Sequence, residues 1–175
     1  SAGVTLISLN EPVDNLKKAI KSAFPGISNS TAELLEKRSG GNPRKLQQIL
    51  YTMSMKPIWF ENFDNQRDLT SNGRLALQEL AELPIDQIVF NRFLEAPVNV
   101  RESSAIAALY GERFVVAAVK LIGDNISQLD VMDGLKDGER VFHILHNVVN
   151  DSVDDIAWFS DRLFLEASEN YRISG

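Results

Sequence analysis

The sequence predicts a mainly α-helical protein in two parts, a three-helix region over residues 1–56 and a helical interaction domain over residues 57–175. Apolar residues recur at intervals of three and four along most of the chain, which is the spacing of amphipathic helices. Gly40-Gly41-Asn42-Pro43 combines a helix-stop signal with a helix-start signal. The aromatic run Pro57–Phe63, followed by polar residues, marks the boundary between the two parts.

The composition is that of a soluble globular protein, with 44% hydrophobic and 24% charged residues. There is no cysteine, so neither a disulfide framework nor a thiolate metal site can form. No apolar run approaches the ~20 residues that cross a bilayer, and Ser1-Ala2-Gly3 does not precede a signal peptide. We therefore expect a cytoplasmic protein without a membrane partner.

The net charge of −6 is unevenly distributed. Residues 1–50 hold seven Lys and Arg against four Asp and Glu, whereas residues 51–175 hold eleven against twenty. Duplex nucleic acid is bound largely through neutralisation of its phosphates, so the acidic second part disfavours a nucleic-acid partner. The pattern predicts phosphate contacts for the first part and protein contacts for the second.

The first part begins with Val4–Leu9, which alternates like a short strand although no second convincing strand follows it. Glu11-Pro12 opens a helix that ends at Phe24-Pro25-Gly26. Its residues at helical spacing are Val13, Leu16, Ala19, Ile20 and Ala23. Ser30 and Glu33 have the spacing of a capping box, which predicts a second helix reaching about Arg38.

The junction before the third helix carries the strongest functional signal. Gly41 tolerates the left-handed conformation past a helix end, Asn42 is a good cap, and Pro43 suits the first helical position. Arg44 then projects from a helix N-terminus, where backbone N–H groups and the helix dipole favour a phosphate. The third helix buries Leu46, Ile49, Leu50 and Met53, and it ends at Lys56-Pro57.

Residues 1–56, with their Gly-Gly-Asn-Pro-Arg motif, resemble the lid and second-sensor region of AAA+ and STAND-type P-loop ATPases, including the origin-recognition-like branch. The resemblance implies that Val4–Leu9 ends a nucleotide-binding core and that the motif opens a lid helix. It implies that Arg44 approaches the γ-phosphate of ATP, while Asn42 and Pro43 shape the helix start and Gly41 the turn. An arginine presents a rigid, permanently charged fork that suits this role.

The sequence lacks the rest of an ATP site. It contains no G-x-x-x-x-G-K-[ST] phosphate loop and no apolar strand ending in an acidic pair for Mg²⁺. We therefore expect no catalytic residue and no cofactor bound by this chain alone. The resemblance then implies a C-terminal piece whose partners are an ATPase core or neighbouring subunits, with ATP and Mg²⁺ held in the parent protein.

The second part is predicted to be almost entirely helical. The aromatic cluster at Pro57–Phe63 either forms local core, which we favour, or anchors one part on the other. Residues 126–132 form a short strand or a helical turn between two turn signals. The predicted helices span residues 70–83, 85–96, 100–110 and 112–122 (the last two separate or merged), 139–149, and a final one capped by Asp151 or Ser152 that includes Ile156 and Phe159.

Three groups of polar residues are candidates for metal binding or catalysis. His143 and His146 would share a helical face and ligate a metal only with help from Asp137 or Glu139, so we expect solvated or core-edge histidines. Asp130-Val131-Met132-Asp133-Gly134 lacks the spacing of a calcium loop. The carboxylates predicted for the first turns of the last helix favour capping over acid–base catalysis; they are Asp151, Asp154, Asp155 and Asp161.

Three functions remain open. The leading one is the regulatory and interaction region of a P-loop ATPase, with nucleotide sensing by Arg44. The second is a self-contained helical adaptor that binds a protein through its acidic half. The third is a helix-turn-helix DNA-binding module, because ATPases of the resembled families often carry a winged-helix domain after the lid. For base reading the second part offers only the scattered Arg92, Arg101 and Arg113, and the acidic charge makes this function the least favoured.

Overall fold

A computed structural model of the chain describes residues 16–63, 66–119, 121, 126–149 and 156–174. The protein is mainly α-helical, as the sequence predicts. It divides into two compact units, Ser1–Ile88 and Val89–Gly175. The sequence placed the boundary after residue 56, whereas the compact units divide further along the chain. In the described part of the chain, no helix combines the length and apolar character needed to cross a membrane.

Unit 1 is built from helices around a short hairpin. Its elements are α1 (Leu16–Ala23), α2 (Asn29–Arg38), α3 (Pro43–Ser54), a 3₁₀ turn (Pro57–Trp59), β1 (Phe60–Phe63), β2 (Gln66–Leu69), α4 (Ser71–Glu82) and the start of α5 (Ile85–Glu95). The helices bury apolar residues spaced by three or four, as amphipathic helices do. This core includes Leu16, Ile20, Leu35, Leu46, Ile49, Met53, Leu77 and Ile88.

Helix α2 begins two residues earlier than the sequence predicted. Its N-cap is Ser28, whose side chain accepts a hydrogen bond from the Thr31 amide, so the predicted capping box of Ser30 and Glu33 is wrong. Ser28 is the cap in place of Ser30 because its extended backbone lets its hydroxyl reach the amide of Thr31, the third residue of the helix. Glu33 instead pairs with Lys17 of α1 at 2.9 Å. The helix ends at Arg38 as predicted.

The aromatic run forms local core, the alternative that the sequence favoured. Trp59 and Phe60 pack against the core of unit 1, and the Phe60 ring stacks on Phe24 with centroids 5.4 Å apart. Phe60 lies opposite Leu69 in the antiparallel β1–β2 hairpin. This hairpin was not predicted, because its strands are short and do not alternate cleanly. The predicted strand Val4–Leu9 lies outside the described residues.

Unit 2 contains the remainder of α5, α6 (Val98–Ala108), β3 (Arg113–Val115), α7 (Val116–Val119), α8 (Gln128–Arg140), β4 (Leu145–His146), β5 (Ile156–Phe159) and α9 (Arg162–Ser174). The strands form an antiparallel sheet in the order β3-β5-β4. From α6 onward the elements are a helix (α6), a strand (β3), two helices (α7 and α8) and a two-stranded antiparallel pair (β4 and β5). This is the order of elements in a winged-helix domain.

The core of unit 2 is formed by helix packing and by the buried face of the sheet. Helix α6 lies against both α8 and α9. The sheet buries Phe114 and Phe159, whose rings meet edge to face with centroids 5.9 Å apart. The strands alternate between buried and exposed residues, as expected for a sheet with one covered face. Ile156 and Trp158 lie on the exposed face, 47% and 40% accessible.

The sequence mispredicted much of unit 2. Residues 112–122 are not one helix, because Gly111 adopts a φ of 95° and a strand, β3, follows before α7. The turn signals at residues 133–138 lie inside α8. The helix predicted over residues 139–149 is also wrong, since α8 ends at Arg140 and β4 follows.

The last predicted helix begins later than expected. Residues 156–159 form β5, and α9 starts at Arg162. Asp161 provides the cap, because its Oδ1 accepts from the Leu163 amide at 3.0 Å. The predicted capping residues Asp151 and Ser152, like Asp154 and Asp155, lie outside the described residues.

Candidate functional site

The candidate site is the junction between α2 and α3. Gly40 and Gly41 have φ values of 62° and 72°, a left-handed conformation that side chains oppose and glycine accepts. The Gly40 amide donates to Lys37 O at 3.1 Å, and the Asn42 amide donates to Ser39 O at 3.0 Å. These bonds close α2 and turn the chain into α3. The structure therefore forms the turn that the two glycines predicted.

Helix α3 starts as the sequence predicted. Asn42 is its N-cap in an extended conformation, and Pro43 occupies the first helical position. Asn42 Oδ1 accepts from the amides of Arg44 at 3.0 Å and Lys45 at 3.4 Å. The Leu46 side chain, two residues further along the chain from Arg44, is fully buried and fixes the helix on the core of unit 1.

The cap changes how this junction would meet a phosphate. Since Asn42 accepts from the amides of Arg44 and Lys45, those backbone groups are already bonded within the protein. The expectation that a phosphate would be received by N–H groups of the helix start does not fit these two amides. The exposed Arg44 guanidinium is the group that remains suited to phosphate, as a planar donor fork on a fixed helical turn.

The exposed face of α8 is a second candidate for a functional surface. In the order of elements this helix follows the short helix α7, as the second helix of a helix-turn-helix would. It buries Val131, Gly134, Leu135 and Gly138. Its acidic face consists of the exposed residues Leu129, Asp130, Asp133 and Asp137. Over its length α8 carries four acidic residues and two basic ones.

Two of the three arginines considered for base reading serve the interior of unit 2. Arg92 is 3% exposed, donates to Phe142 O, and lies over the Phe164 ring at 5.1 Å. Arg101 lies over the Tyr171 ring at 5.3 Å. Arg113 is exposed on β3, opposite Trp158. The buried and stacked positions of the first two remove them from any surface that could read bases.

His143 and His146 do not share a helix. His143 lies in a loop with a φ of 54°, and His146 lies in β4, where its ring is 6.1 Å from that of Trp158. Burial, with the Arg92 charge and His146 adding to it, lowers the pKa of His143 to about 4. Burial also lowers the pKa of His146, against the raising effect of Glu139. Both are core-edge histidines, which is the alternative that the sequence favoured.

Metal binding finds no support in the described ranges. Among residues 16–63, 66–119, 126–149 and 156–171, no three His, Cys, Asp or Glu side chains are grouped to hold a metal ion. Asp130 belongs to the start of α8, where its amide is capped by Ser127 Oγ at 3.1 Å. The residues that loosely suggested a calcium loop are therefore helical.

The acidic face of α8 is the feature that sequence reasoning missed. Asp133-Gly134 and Asp137-Gly138 have the composition of turns, which hides that their carboxylates lie on one helix. A signal was present in the sequence, since the buried residues Val131 and Leu135 are four apart and Ser127 is a good cap.

Comparison with known proteins adds no relationship. No protein-family model matches the sequence, and no match was found among curated proteins or among solved structures.

Proposed function

We propose that this chain is the C-terminal regulatory and interaction region of a cytoplasmic P-loop ATPase. In this proposal Arg44 senses the nucleotide, while ATP and Mg²⁺ are held by a core outside this chain. The observation that carries the proposal is the exposed Arg44 side chain on the first turn of α3, behind two left-handed glycines and an Asn42 cap. Such a fixed turn sets the direction in which the Arg44 side chain leaves the helix, which favours recognition of a terminal phosphate at this end of α3.

The order of the units supports the same proposal. A helical unit that contains the Gly-Gly-Asn-Pro-Arg motif precedes a unit with winged-helix topology. The ATPase families that the sequence resembles often have this order of lid and winged helix. In this proposal, regulation acts through contacts of this region with the nucleotide-binding core.

The test is Arg44→Ala in the protein that carries the nucleotide-binding core. We expect ATP turnover to fall roughly 10²-fold or more, since loss of one charge-stabilising donor has that effect on a transition state. Lys45→Ala is the matched control, because Lys45 lies next to Arg44 on the same turn. The change at Lys45 should leave turnover near that of the wild type.

Two results would contradict the sensor role. One is ATP turnover that Arg44→Ala leaves unchanged. The other is an equal loss in the Arg44 and Lys45 variants, which would indicate a general electrostatic effect. Urea denaturation of the isolated chain should show less than about 0.5 kcal/mol of destabilisation for Arg44→Ala, as is usual for an exposed side chain.

A second candidate function is a helical adaptor that binds a protein through the acidic face of α8. The supporting observation is the exposed Leu129, 70% accessible, beside the carboxylates of Asp130 and Asp133. A single apolar anchor with a charged rim is a common arrangement in protein interfaces. Leu129→Ser combined with Asp133→Lys should abolish binding of that protein partner to this chain.

The helix-turn-helix topology does not favour DNA binding here. A recognition helix needs side chains that contact phosphates and base edges together, whereas the acidic face of α8 would repel phosphates. A fluorescence-anisotropy titration of the chain with duplex DNA at low salt decides the question. Steep, salt-dependent binding that Arg113→Ala weakens would restore the DNA-binding function.

A further inference from the structure

Unit 1 contains a cavity of about 400 Å³ whose walls come from three separate elements. The turn between α1 and α2 contributes Ile27 and Ser28, the β1–β2 hairpin contributes Glu61 and Asp68, and α4 contributes Arg74. All of these residues lie in the same compact unit. The volume is in the usual range of small-molecule sites, about 300–1,000 Å³.

The walls are joined through the backbone. A Cβ on Gly26 would lie 2.4 Å from Arg67 N, so the turn touches the hairpin directly at a position that only glycine permits. On the other side, the Thr70 amide donates to Trp59 O at 2.8 Å and fixes the start of α4 on the 3₁₀ turn that leads into β1. The cavity is therefore formed by elements whose separation is set by backbone contacts, which is a property of preformed sites.

The charged groups of the cavity include an ion pair between α4 and β2, and a second carboxylate from β1. Arg74 Nη2 donates to Ser28 Oγ at 3.3 Å and lies 3.8 Å from Asp68 Oδ2. Asp68 Oδ1 accepts from the Leu69 amide at 2.8 Å, which orients the carboxylate. Glu61 adds a second, exposed carboxylate from β1. One guanidinium and two carboxylates thus line the same space, with Ile27 and the buried Leu69 as its apolar part.

We propose that this cavity binds a free α-amino acid, with the ammonium group at Glu61 and Asp68 and the carboxylate at Arg74. A guanidinium has five donors in a planar fork, so Arg74 can bond a ligand carboxylate while it keeps Ser28. The two protein carboxylates outnumber the guanidinium, which favours a ligand with one additional positive charge. L-Lysine is therefore the best first probe. This site is separate from Arg44 and does not depend on nucleotide.

The experiment is a titration of the ¹⁵N-labelled full chain with L-lysine, observed through backbone amide shifts. We expect saturable shifts grouped at the amides of Ile27, Ser28, Leu69 and Arg74 by about 10 mM, where a Kd of about 1 mM would be nearly saturated. Nα-Acetyl-L-lysine lacks the α-ammonium and L-lysinamide lacks the carboxylate. Each should bind about tenfold more weakly, because each loses a charged hydrogen bond.

Variants of the chain test the protein side of the same contacts. Glu61→Gln and Arg74→Lys should each weaken L-lysine about tenfold, since the first removes a charge and the second removes the fork. Glu79→Gln is the matched control, because Glu79 is exposed on α4 and does not line the cavity. In a Trp158→Phe background, unchanged Trp59 fluorescence verifies that unit 1 of each variant is folded.

Two outcomes would overturn the proposal. The first is an absence of saturable shifts at about 10 mM L-lysine. The second is an affinity for L-lysine, measured from the amide shifts, that is the same in Glu61→Gln and Arg74→Lys as in the control Glu79→Gln.

Discussion

Gly134 of α8 lies so close to Ser103 of α6 that a Cβ on the glycine would fall 2.3 Å from Ser103 Oγ and 2.4 Å from Asn99 O. Ser103 is itself fully buried. The two helices make one of the principal contacts of unit 2, and they approach this closely because position 134 has no side chain.

The first prediction is that Gly134→Ala destabilises unit 2. The added methyl group meets the backbone oxygen of Asn99, which cannot move without shifting α6. Overpacking of this kind costs about 1–3 kcal/mol, and the better helix propensity of alanine offsets up to ~1 kcal/mol of it. Because the 2.4 Å contact is with backbone, we take the upper end of this cost and expect a net loss of about 2 kcal/mol in the free energy of unfolding.

Gly138→Ala provides the control for this prediction, on the same helix. Its Cβ would lie 3.2 Å from Leu145 Cδ1, the end of a side chain that can adjust. Trp59 and Trp158 are the only tryptophans of the sequence, so Trp59→Phe leaves a fluorescent reporter in unit 2 alone. In that background, urea denaturation of Gly134→Ala that matches Gly138→Ala would contradict the argument.

The same glycines explain why sequence reasoning failed in unit 2. Asp133-Gly134 and Asp137-Gly138 have the composition of turns, yet their glycines serve the approach of α8 to its neighbours. A local pattern cannot distinguish a glycine required by φ from one required by a neighbouring helix. The three-residue strand β3 gives almost no periodic signal, and it forms because β5, more than forty residues later, pairs with it.

Unit 1 was more predictable because its signals are local. Buried residues of α1 and α3 follow helical spacing, and the residues that form the junction between α2 and α3 act within a few positions of one another. Asn42 and Pro43 have the positions that the sequence assigned to them. The bonds from the amides of Arg44 and Lys45 to Asn42 also follow from the sequence, because they are what a helix cap accepts.

The second prediction concerns this cap. Asn42→Ala should reduce the stability of unit 1 by about 1 kcal/mol, because the amides of Arg44 and Lys45 lose their acceptor. Asn42→Asp keeps an acceptor and adds a charge that the helix dipole favours, so it should match the wild type. In a Trp158→Phe background, Trp59 fluorescence in urea measures both. Equal midpoints for the alanine and aspartate variants would show that the cap contributes nothing.

The third prediction is that Arg92 stabilises the interior of unit 2. Arg92→Leu removes the donor to Phe142 O and the cation lying over Phe164, while leucine refills part of the volume. We expect a loss of about 2 kcal/mol, mainly from the unsatisfied carbonyl and the lost ring contact. Arg113→Leu, on the exposed side of β3, should change stability by less than about 0.5 kcal/mol. Equal effects of the two leucine substitutions would refute this role.

The last prediction is a loss of stability in acid that originates at His143. The pKa of this side chain is about 4 in the folded protein, against 6.5 for an ordinary histidine, because burial and the Arg92 charge disfavour the protonated form. Between pH 6.5 and pH 4 the unfolded chain therefore binds a proton that the folded chain does not, so stability falls as pH falls through this range and levels off below about 4. The shift corresponds to ~3 kcal/mol, which solvent screening of this partly exposed ring reduces to about 1–2 kcal/mol.

His143→Asn keeps a residue that tolerates the positive φ and removes the titration. Urea denaturation at pH 7 and pH 4.5 should show a smaller acid loss for His143→Asn than for the wild type, and an equal loss would assign the acid sensitivity to other groups.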